Sequence, residues 1–190
     1  MNYGAVFELT PGGDLLPLLH SFAGPPSEGS GPAGTPVFDT AGDLYGTTYG
    51  GGADAAGTVY EISAAGVFSN TTSFPSGAGF PRAGLALVAG GFYGTTEGSS
   101  TQGVGGTVYV VGGTAPIYTF TGGADGALPT GWVAGDGQGN LYGTTSGGGS
   151  ASFGNGDGVI FRLNIASGVE TVLHTFTGPA DPPNLPLMVY

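Results

Sequence analysis

Short runs in which apolar and polar residues alternate recur along the chain, separated by clusters of glycine, proline and aspartate. Each run is five or six residues long and rich in β-branched and aromatic side chains, which is typical of short strands in a sheet. Apolar residues nowhere recur at the i, i+3, i+4 and i+7 spacing of a helix over three turns. The pattern therefore predicts an all-β protein with essentially no helix.

Four kinds of run return in a fixed order along the chain. One reads Tyr-Gly-Thr-Thr after Leu or Phe, and its tyrosines are 48 and 49 residues apart, at Tyr45, Tyr93 and Tyr142. A small residue followed by alternating apolar residues occurs four times, from Gly4, Gly57, Gly106 and Gly158. A run that ends in Phe also occurs four times, finishing at Phe22, Phe74, Phe120 and Phe176. A looser run, led by Pro in its first copy, occupies 36–38, 85–88, 132–134 and 187–189.

Four strands in a period of about 48 residues are typical of a β-propeller, in which each four-stranded sheet forms one blade and buries both faces against its neighbours. The alternative is a β-solenoid of the parallel β-helix type, whose rungs are usually shorter. Glycine and proline then have positional roles. We expect the glycine of each Tyr-Gly-Thr-Thr run to admit an aromatic ring where two sheets press face to face. The segments 39–43 and 136–140 predict hairpin turns, in which Asp accepts local backbone N–H groups.

The order of these runs resembles the GloVer tandem repeat of bacterial surface proteins. The residues that carry the resemblance are Leu-Tyr-Gly-Thr-Thr at 44–48, the glycine-rich loop at 49–56, Gly-Thr-Val-Tyr at 57–60 and the strand ending in Ser73-Phe74. The resemblance covers nearly the whole chain. It implies an extracellular or cell-surface repeat array and supplies no catalytic residues. Unlike a typical family member, this chain is expected to carry neither a signal peptide nor an anchor, because its first residues have no basic segment.

The runs are also similar to NHL-type propeller blades, which implies that the Pro-led run is the innermost strand A. Tyr-Gly-Thr-Thr is then strand B, the run after the small residue is strand C, and the run ending in Phe is the outermost strand D. In that frame 1–190 is a single repeat domain with complete blades at 35–80, 81–126 and 127–180. Residues 1–34 supply strands C and D of a composite or incomplete fourth blade, and 181–190 supply its strand A.

The chain ends therefore carry complementary pieces of one blade, and only 2–4 could stand in for its strand B. Two interpretations remain. One is a small four-bladed ring with a short composite blade. The other is an open module whose edges pair between subunits, which gives a closed dimer or a filament, because unpaired β edges invite other chains. We therefore predict a structural protein that self-associates through its terminal β edges as a homo-oligomer or filament.

Composition excludes several classes of protein. The chain has no Cys and no Lys, and two Arg face thirteen carboxylates, for a net charge of −11. So few cations cannot neutralise a phosphate backbone, so we predict no nucleic-acid partner. No apolar run approaches the ~20 residues of a membrane span, and we predict no membrane insertion. Without Cys there is no disulfide or thiolate metal site.

The acidic residues do not predict an active site, because most lie in turns beside glycine, where the turn explains them. We therefore predict no enzyme activity and no cofactor. The one open cofactor alternative is a weak structural Ca²⁺ site, because 136–140 and 154–158 offer oxygen ligands, although neither matches an EF-hand loop. His20 and His174 share a strand position with Thr72 and Tyr118, so a half-polar strand residue explains them better than a metal site does.

The alternative function is a carbohydrate-binding or adhesion module that uses the glycine-rich loops at 49–56, 97–105 and 146–157, because propeller loops gather on one face. The strand aromatics, Trp132 among them, are expected in the core rather than at a glycan. The candidate ligand or assembly residues are four in the loops and two at the chain ends: Asp54, Phe153, Asn155, Asp157, Tyr3 and Tyr190.

Overall fold

The computed structural model describes residues 2–99, 103, 105–149 and 156–178. Its strands are β1 (Ala5–Val6), β2 (His20–Ser21), β3 (Gly29–Phe38), β4 (Leu44–Gly51), β5 (Thr58–Ile62), β6 (Phe68–Ser73), β7 (Ala86–Val88), β8 (Gly91–Thr96), β9 (Thr107–Val110), β10 (Tyr118–Thr119), β11 (Ala134–Gly135), β12 (Asn140–Thr144), β13 (Val159–Asn164) and β14 (Glu170–Thr175). Within this described part there is no helix, and hence none long and apolar enough to cross a membrane.

Sequential strands pair into antiparallel sheets, which we call blades. The first blade has the order β3-β4-β5-β6, the second β7-β8-β9-β10 and the third β11-β12-β13-β14. Before them, β1 and β2 form a two-stranded sheet, here called the N-terminal sheet. The sheets do not close into a barrel. The architecture confirms the predicted all-β propeller type, and its antiparallel ladders are unlike the parallel β-helix of the alternative.

Successive sheets bury apolar side chains between them, and these junctions are the hydrophobic core. Junction 1 joins the N-terminal sheet to the first blade, junction 2 joins the first blade to the second, and junction 3 joins the second to the third. At every junction the last Phe of one sheet lies edge-on against the strand-C aromatic of the next. The centroid distances and interplanar angles are 5.2 Å and 69° for Phe22–Tyr60, 4.8 Å and 66° for Phe74–Tyr109, and 5.1 Å and 65° for Phe120–Phe161.

The glycine of each Tyr-Gly-Thr-Thr run lies directly across from the strand-C aromatic of its own sheet: Gly46 opposite Tyr60, Gly94 opposite Tyr109 and Gly143 opposite Phe161. A Cβ on Gly143 would lie 2.5 Å from Cζ of Phe161. We expected the ring to come from the facing sheet. It comes instead from the neighbouring strand, lies across the glycine backbone, and still reaches the preceding sheet at the junction.

The threonines of the same run connect each blade to the next. Thr95 Oγ1 donates to the carbonyl of Gly131 at 2.8 Å, and Thr47 Oγ1 lies between two carbonyls, that of Ala33 in its own blade at 2.7 Å and that of Ala83 at 3.0 Å. Ala83 and Gly131 lie just before strand A of the following blade. Buried hydroxyls are costly without partners, so these bonds favour one relative placement of adjacent blades.

The predicted hairpin turns are confirmed. Asp39 Oδ1 accepts from the backbone N–H groups of Ala41 and Asp43 at 2.8 and 2.9 Å. Asp136 Oδ1 accepts from the N–H groups of Gln138 and Asn140 at 2.7 and 3.1 Å. Hydrogen bonds from the Asn140 side chain, from these two backbone groups and from the Tyr142 hydroxyl lower the pKa of Asp136 to about 2. The carboxylates in these two turns are therefore occupied by backbone hydrogen bonding.

A Gly143→Ala substitution should destabilise the protein by about 1–3 kcal/mol, because the added methyl would collide with the fully buried ring of Phe161. Chemical denaturation monitored by circular dichroism measures the change. Gly12→Ala is the matched control, since its Cβ would find its nearest atom at 3.6 Å and its φ is not positive. Equal unfolding midpoints for the two variants would contradict this packing role.

Candidate functional site

The N-terminal sheet is half a blade with one open edge. The carbonyls of Gly4 and Val6 accept from the N–H groups of Phe22 and Leu19, so they face β2. Backbone groups alternate in direction along a strand, so those of Ala5 face the opposite edge of β1. On that same edge the Tyr3 carbonyl accepts from the N–H of Gly31 in β3. At Ala5 itself no strand pairs with the edge in the described part of the chain. In the three complete blades, strand B occupies the corresponding edge.

The N-terminal sheet also presents an exposed apolar surface. Phe7, Leu9 and Leu15 are 54%, 52% and 64% exposed, and Leu9 lies directly opposite Leu15 in an antiparallel bridge. Residues two apart on a strand share a face, so these three side chains form one surface, here called the N-terminal patch. Phe7 and Leu9 correspond to Tyr60 and Ile62 of the first blade, which are 1% and 3% exposed at junction 1.

At the other end of the described chain, the third blade has a face that corresponds to the face with which the first and second blades pack on the next sheet. Ile160 corresponds to Val59 and Val108, which are fully buried at junctions 2 and 3, but Ile160 is only half-buried. Arg162, two residues further along β13, is exposed, and Phe176 beyond β14 is half-buried. We call Ile160, Arg162 and Phe176 the C-terminal face. The two ends of the described chain thus carry the two halves of a junction.

Tyr3 belongs to junction 1. A Cβ on Gly24 would lie 2.6 Å from the Tyr3 ring, and the Tyr3 carbonyl accepts from the N–H of Gly31 at 2.9 Å. The residues before β1 therefore bind the first blade. Residues 2–4 belong to no strand of the structure, and β1 pairs with β2 alone.

Trp132 corrects an expectation, because its indole is 56% exposed rather than in the core. It lies two residues before β11, in a cavity of ≈ 380 Å³ where the innermost strands of the three blades converge. The lining includes Thr35, Leu85 and Thr130 and contains no charged residue. We call this cavity the axial groove. It lies at the end of the blades where strand A begins and the loops after strand B leave the sheets.

On the loop face, Asp54 lies exposed in the turn after β4, and Asp157 is half-buried before β13. Phe153, Asn155 and Tyr190 lie outside the described residues. The best-defined cluster here was not predicted. Arg82 is bonded through Nε to Glu97 at 2.5 Å, and its Cζ lies 4.7 Å from the ring centroid of Tyr49. Two residues of this cluster come from the second blade and one from the first, so it connects neighbouring loops rather than presenting a free cation.

The two histidines lie on corresponding strands in different surroundings. His20 Nε2 is 2.9 Å from Glu28 Oε2, and its ring stacks on Phe68 at 3.6 Å. Burial opposes the charge on Glu28, but the Ala23 N–H and the His20 ring outweigh it and lower the pKa of that carboxyl. His174 lies edge-on to Phe176. Among the described residues, no group of three His, Asp or Glu side chains is placed to hold a metal ion.

Glu170 is the acid whose proton affinity changes most. Burial on β14, together with the nearby charge of Asp125, raises the pKa of Glu170 to about 7. Its Oε1 is buried without a hydrogen-bond partner. Asp125 itself accepts from the Tyr118 hydroxyl at 2.9 Å and from Thr121. Glu170 and Asp125 thus form a carboxyl pair next to junction 3.

Comparison with known proteins agrees with the repeat. Residues 1–187 match the Gloeobacter/Verrucomicrobia repeat. The chain belongs to this family. Among solved structures, the β-propeller protein TolB from Acinetobacter baumannii is similar to this member of the repeat family, with a TM-score of 0.52 and 12% identity. The match covers 91% of this chain and only 38% of the TolB chain, so it shows the fold alone. No curated protein matches.

Besides the Arg82–Glu97–Tyr49 cluster, two features of the site were not predicted from the sequence, the N-terminal patch and the axial Trp132. A signal for the first was present, because Phe7 and Leu9 align with the junction residues Tyr60 and Ile62. No such signal existed for Trp132. By strand register it corresponds to Thr35 and Gly84 in the other blades. Only the convergence of three strands shows that this position faces a cavity.

Glu170 should make the folded state less stable as pH rises. Its pKa is about 7 when folded and 4.5 ordinarily, so the folded state binds the proton more tightly, and stability falls as pH rises from 4.5 to 7. The carboxyl is partly solvated, which limits the loss to about 1 kcal/mol. Glu170→Gln should remove this loss in denaturation at about pH 5 and about pH 8. An unchanged pH dependence in Glu170→Gln, matching the exposed control Asp54→Asn, would argue against this account.

Proposed function

We propose that the protein is a non-catalytic structural module of the cell surface or extracellular space whose copies join end to end. The observation that carries this proposal is the N-terminal patch. Phe7 and Leu9 stand at positions that are buried in the complete blades, yet here they are about half exposed. Large apolar side chains gathered on one exposed face are typical of protein interaction surfaces.

The edge of β1 at Ala5, which pairs with no strand of the described chain, supports the same proposal. Unpaired strand edges attract other chains, and natural proteins protect them with charged side chains, lysine above all. This chain has no lysine, and only 8% of its residues are charged. The edge and the patch lie on the same two-stranded sheet, so one partner could cover both.

The location outside the cytoplasm is part of the proposal. Support comes from the family to which the chain belongs and from the resemblance of its repeat to bacterial surface proteins. A surface built largely from Gly, Ser, Thr and Ala, with two Arg as the only sites for trypsin, would suit an exposed extracellular material.

Self-association should be visible in sedimentation velocity. We expect the mean mass to rise above 18.5 kDa as concentration increases about a hundredfold. Added sodium sulfate should strengthen association, because copies of charge −11 repel one another and an apolar interface gains from the salt. A monomer at every concentration and salt level would contradict the proposal. Negative-stain microscopy then separates filaments from closed rings.

A second candidate is binding of a neutral carbohydrate. The observation that favours it is Trp132, an exposed indole in an uncharged groove with threonine hydroxyls nearby. Sugar rings stack on such surfaces through their C–H faces and donate hydrogen bonds at the rim. The axial groove, rather than Asp54 or Asp157, is the site that this candidate function would use.

Trp132 is the only tryptophan, so its fluorescence reports on the axial groove directly. If the groove binds neutral glycans, titration with cello- or chito-oligosaccharides should shift the emission to shorter wavelength and saturate. Charged oligosaccharides serve as the comparison. An emission spectrum that no neutral oligosaccharide alters would remove this candidate, whatever sedimentation shows.

A further inference from the structure

The three junctions of the molecule repeat one aromatic contact, and the chain holds the two halves of a fourth. At each junction the Phe that ends strand D meets the strand-C aromatic of the next sheet edge-on, with centroids 4.8 to 5.2 Å apart. Edge-on ring pairs contribute about 0.5–1.5 kcal/mol beyond the area they bury. The same ring pair is therefore present wherever two successive sheets pack together in the described chain.

Phe176 is held in the same way as the Phe residues that enter these pairs. Its backbone N–H donates to the carbonyl of Gly158 at 3.0 Å. The corresponding bonds, from the Phe that ends strand D to the Gly that begins strand C, are 2.9 to 3.0 Å in the other sheets: Phe22 to Gly4, Phe74 to Gly57 and Phe120 to Gly106. Phe176 is therefore placed to meet an aromatic residue of a following sheet.

Phe7 is the matching half. It follows Val6 on strand C, as Tyr60 follows Val59 and Tyr109 follows Val108. Those two tyrosines are 1% and 5% exposed, because the Phe of the preceding sheet covers them. Among the described residues no sheet covers the Phe7 ring, which is 54% exposed. Phe7 and Phe176 both lie within the described residues, and neither ring contacts the other.

We infer that Phe176 of one copy packs edge-on against Phe7 of the next, so that the C-terminal face and the N-terminal patch form a fourth junction between copies. This inference names the partner of the surface in our proposed function and rests on that proposal. Because the two surfaces differ, the contact is head to tail. Such contacts produce a ring if the rotation closes and a filament if it does not.

The other members of the two surfaces fit this pairing. Ile160 lies where Val59 and Val108 contact the following sheet, and Leu9 lies where Ile62 and Leu163 contact the preceding one. Leu15, opposite Leu9, widens the apolar surface. The surfaces carry the single charge of Arg162 between them, so a second copy meets little unpaired charge on docking.

The test uses two variants that each destroy one half of the contact, Phe7→Asp and Phe176→Asp. Each variant alone should associate at least about 100-fold more weakly than the natural chain, as expected when a central aromatic contact is lost. An equimolar mixture should form a dimer with one copy of each variant and grow no further. The intact Phe176 of one copy can still meet the intact Phe7 of the other.

Three further samples serve as controls. Val67→Asp changes an equally exposed apolar residue away from both surfaces and should associate normally. Phe7→Tyr should also associate, because tyrosine occupies the same position at junctions 1 and 2. Circular dichroism establishes that each variant folds, and Phe176→Ser replaces Phe176→Asp if that variant does not.

The outcomes separate the inference from the function on which it rests. If the natural chain associates and the mixture yields the one-to-one dimer, the inference stands. Association that persists in both single variants would overturn the inference and leave self-assembly in place. A natural chain that stays monomeric, with both substitutions lowering its melting temperature non-additively, would mean that the contact closes within one chain. That result would overturn both.

Discussion

A four-stranded sheet has two faces, and in this molecule each face is buried mainly by the sheet before it or after it. The contact that recurs is the ring pair between successive sheets, with the strand-C aromatic lying across a glycine of its own sheet. Any Cβ at that glycine would push the ring off the strand and away from its partner. The period of about 48 residues therefore reflects a packing requirement that every internal sheet satisfies twice and a terminal sheet satisfies once.

Much of this fold could be predicted from the sequence, because the packing between sheets requires the same residue types at regular intervals along the chain. Glycine, threonine and the aromatic residues return at fixed spacing, and the turn aspartates mark the hairpins. The sequence could not predict which strand supplies the ring that packs on Gly143. A glycine can admit an aromatic ring from a facing sheet or from the neighbouring strand of its own sheet, and both arrangements give the same sequence pattern. Register decides between them, and the pairing of Gly143 with Phe161 became visible only in the structure.

Less of the candidate site could be predicted. The loop residues Asp54 and Asp157 are predicted because loops carry function in many propellers; in the structure Asp54 is exposed and Asp157 half-buried. The N-terminal patch is exposed because no sheet covers it among the described residues. A sequence pattern shows which side chains are apolar but does not show whether another sheet covers them. Trp132 became a candidate through the convergence of three strands that lie far apart along the chain.

The faces that no neighbouring sheet buries connect the architecture of the protein with its proposed self-association. Internal sheets have two neighbours, whereas the N-terminal sheet and the third blade each have one among the described residues, and the surfaces left over correspond to each other residue by residue. Hydrophobic surface of this kind is stabilised by covering it. A second copy of the chain offers the matching surface, because the contact between copies would repeat the junction that the chain already forms three times.

The central claim is that the open junction is filled by another copy through Phe7 and Phe176. An isotope-filtered nuclear Overhauser experiment on the one-to-one complex of Phe7→Asp and Phe176→Asp tests it most directly, with the phenylalanines of Phe7→Asp alone labelled with ¹³C. We expect the labelled Phe176 ring to show contacts with ring protons of Phe7 in the unlabelled copy. A complex that forms without any contact between these two rings would contradict the account.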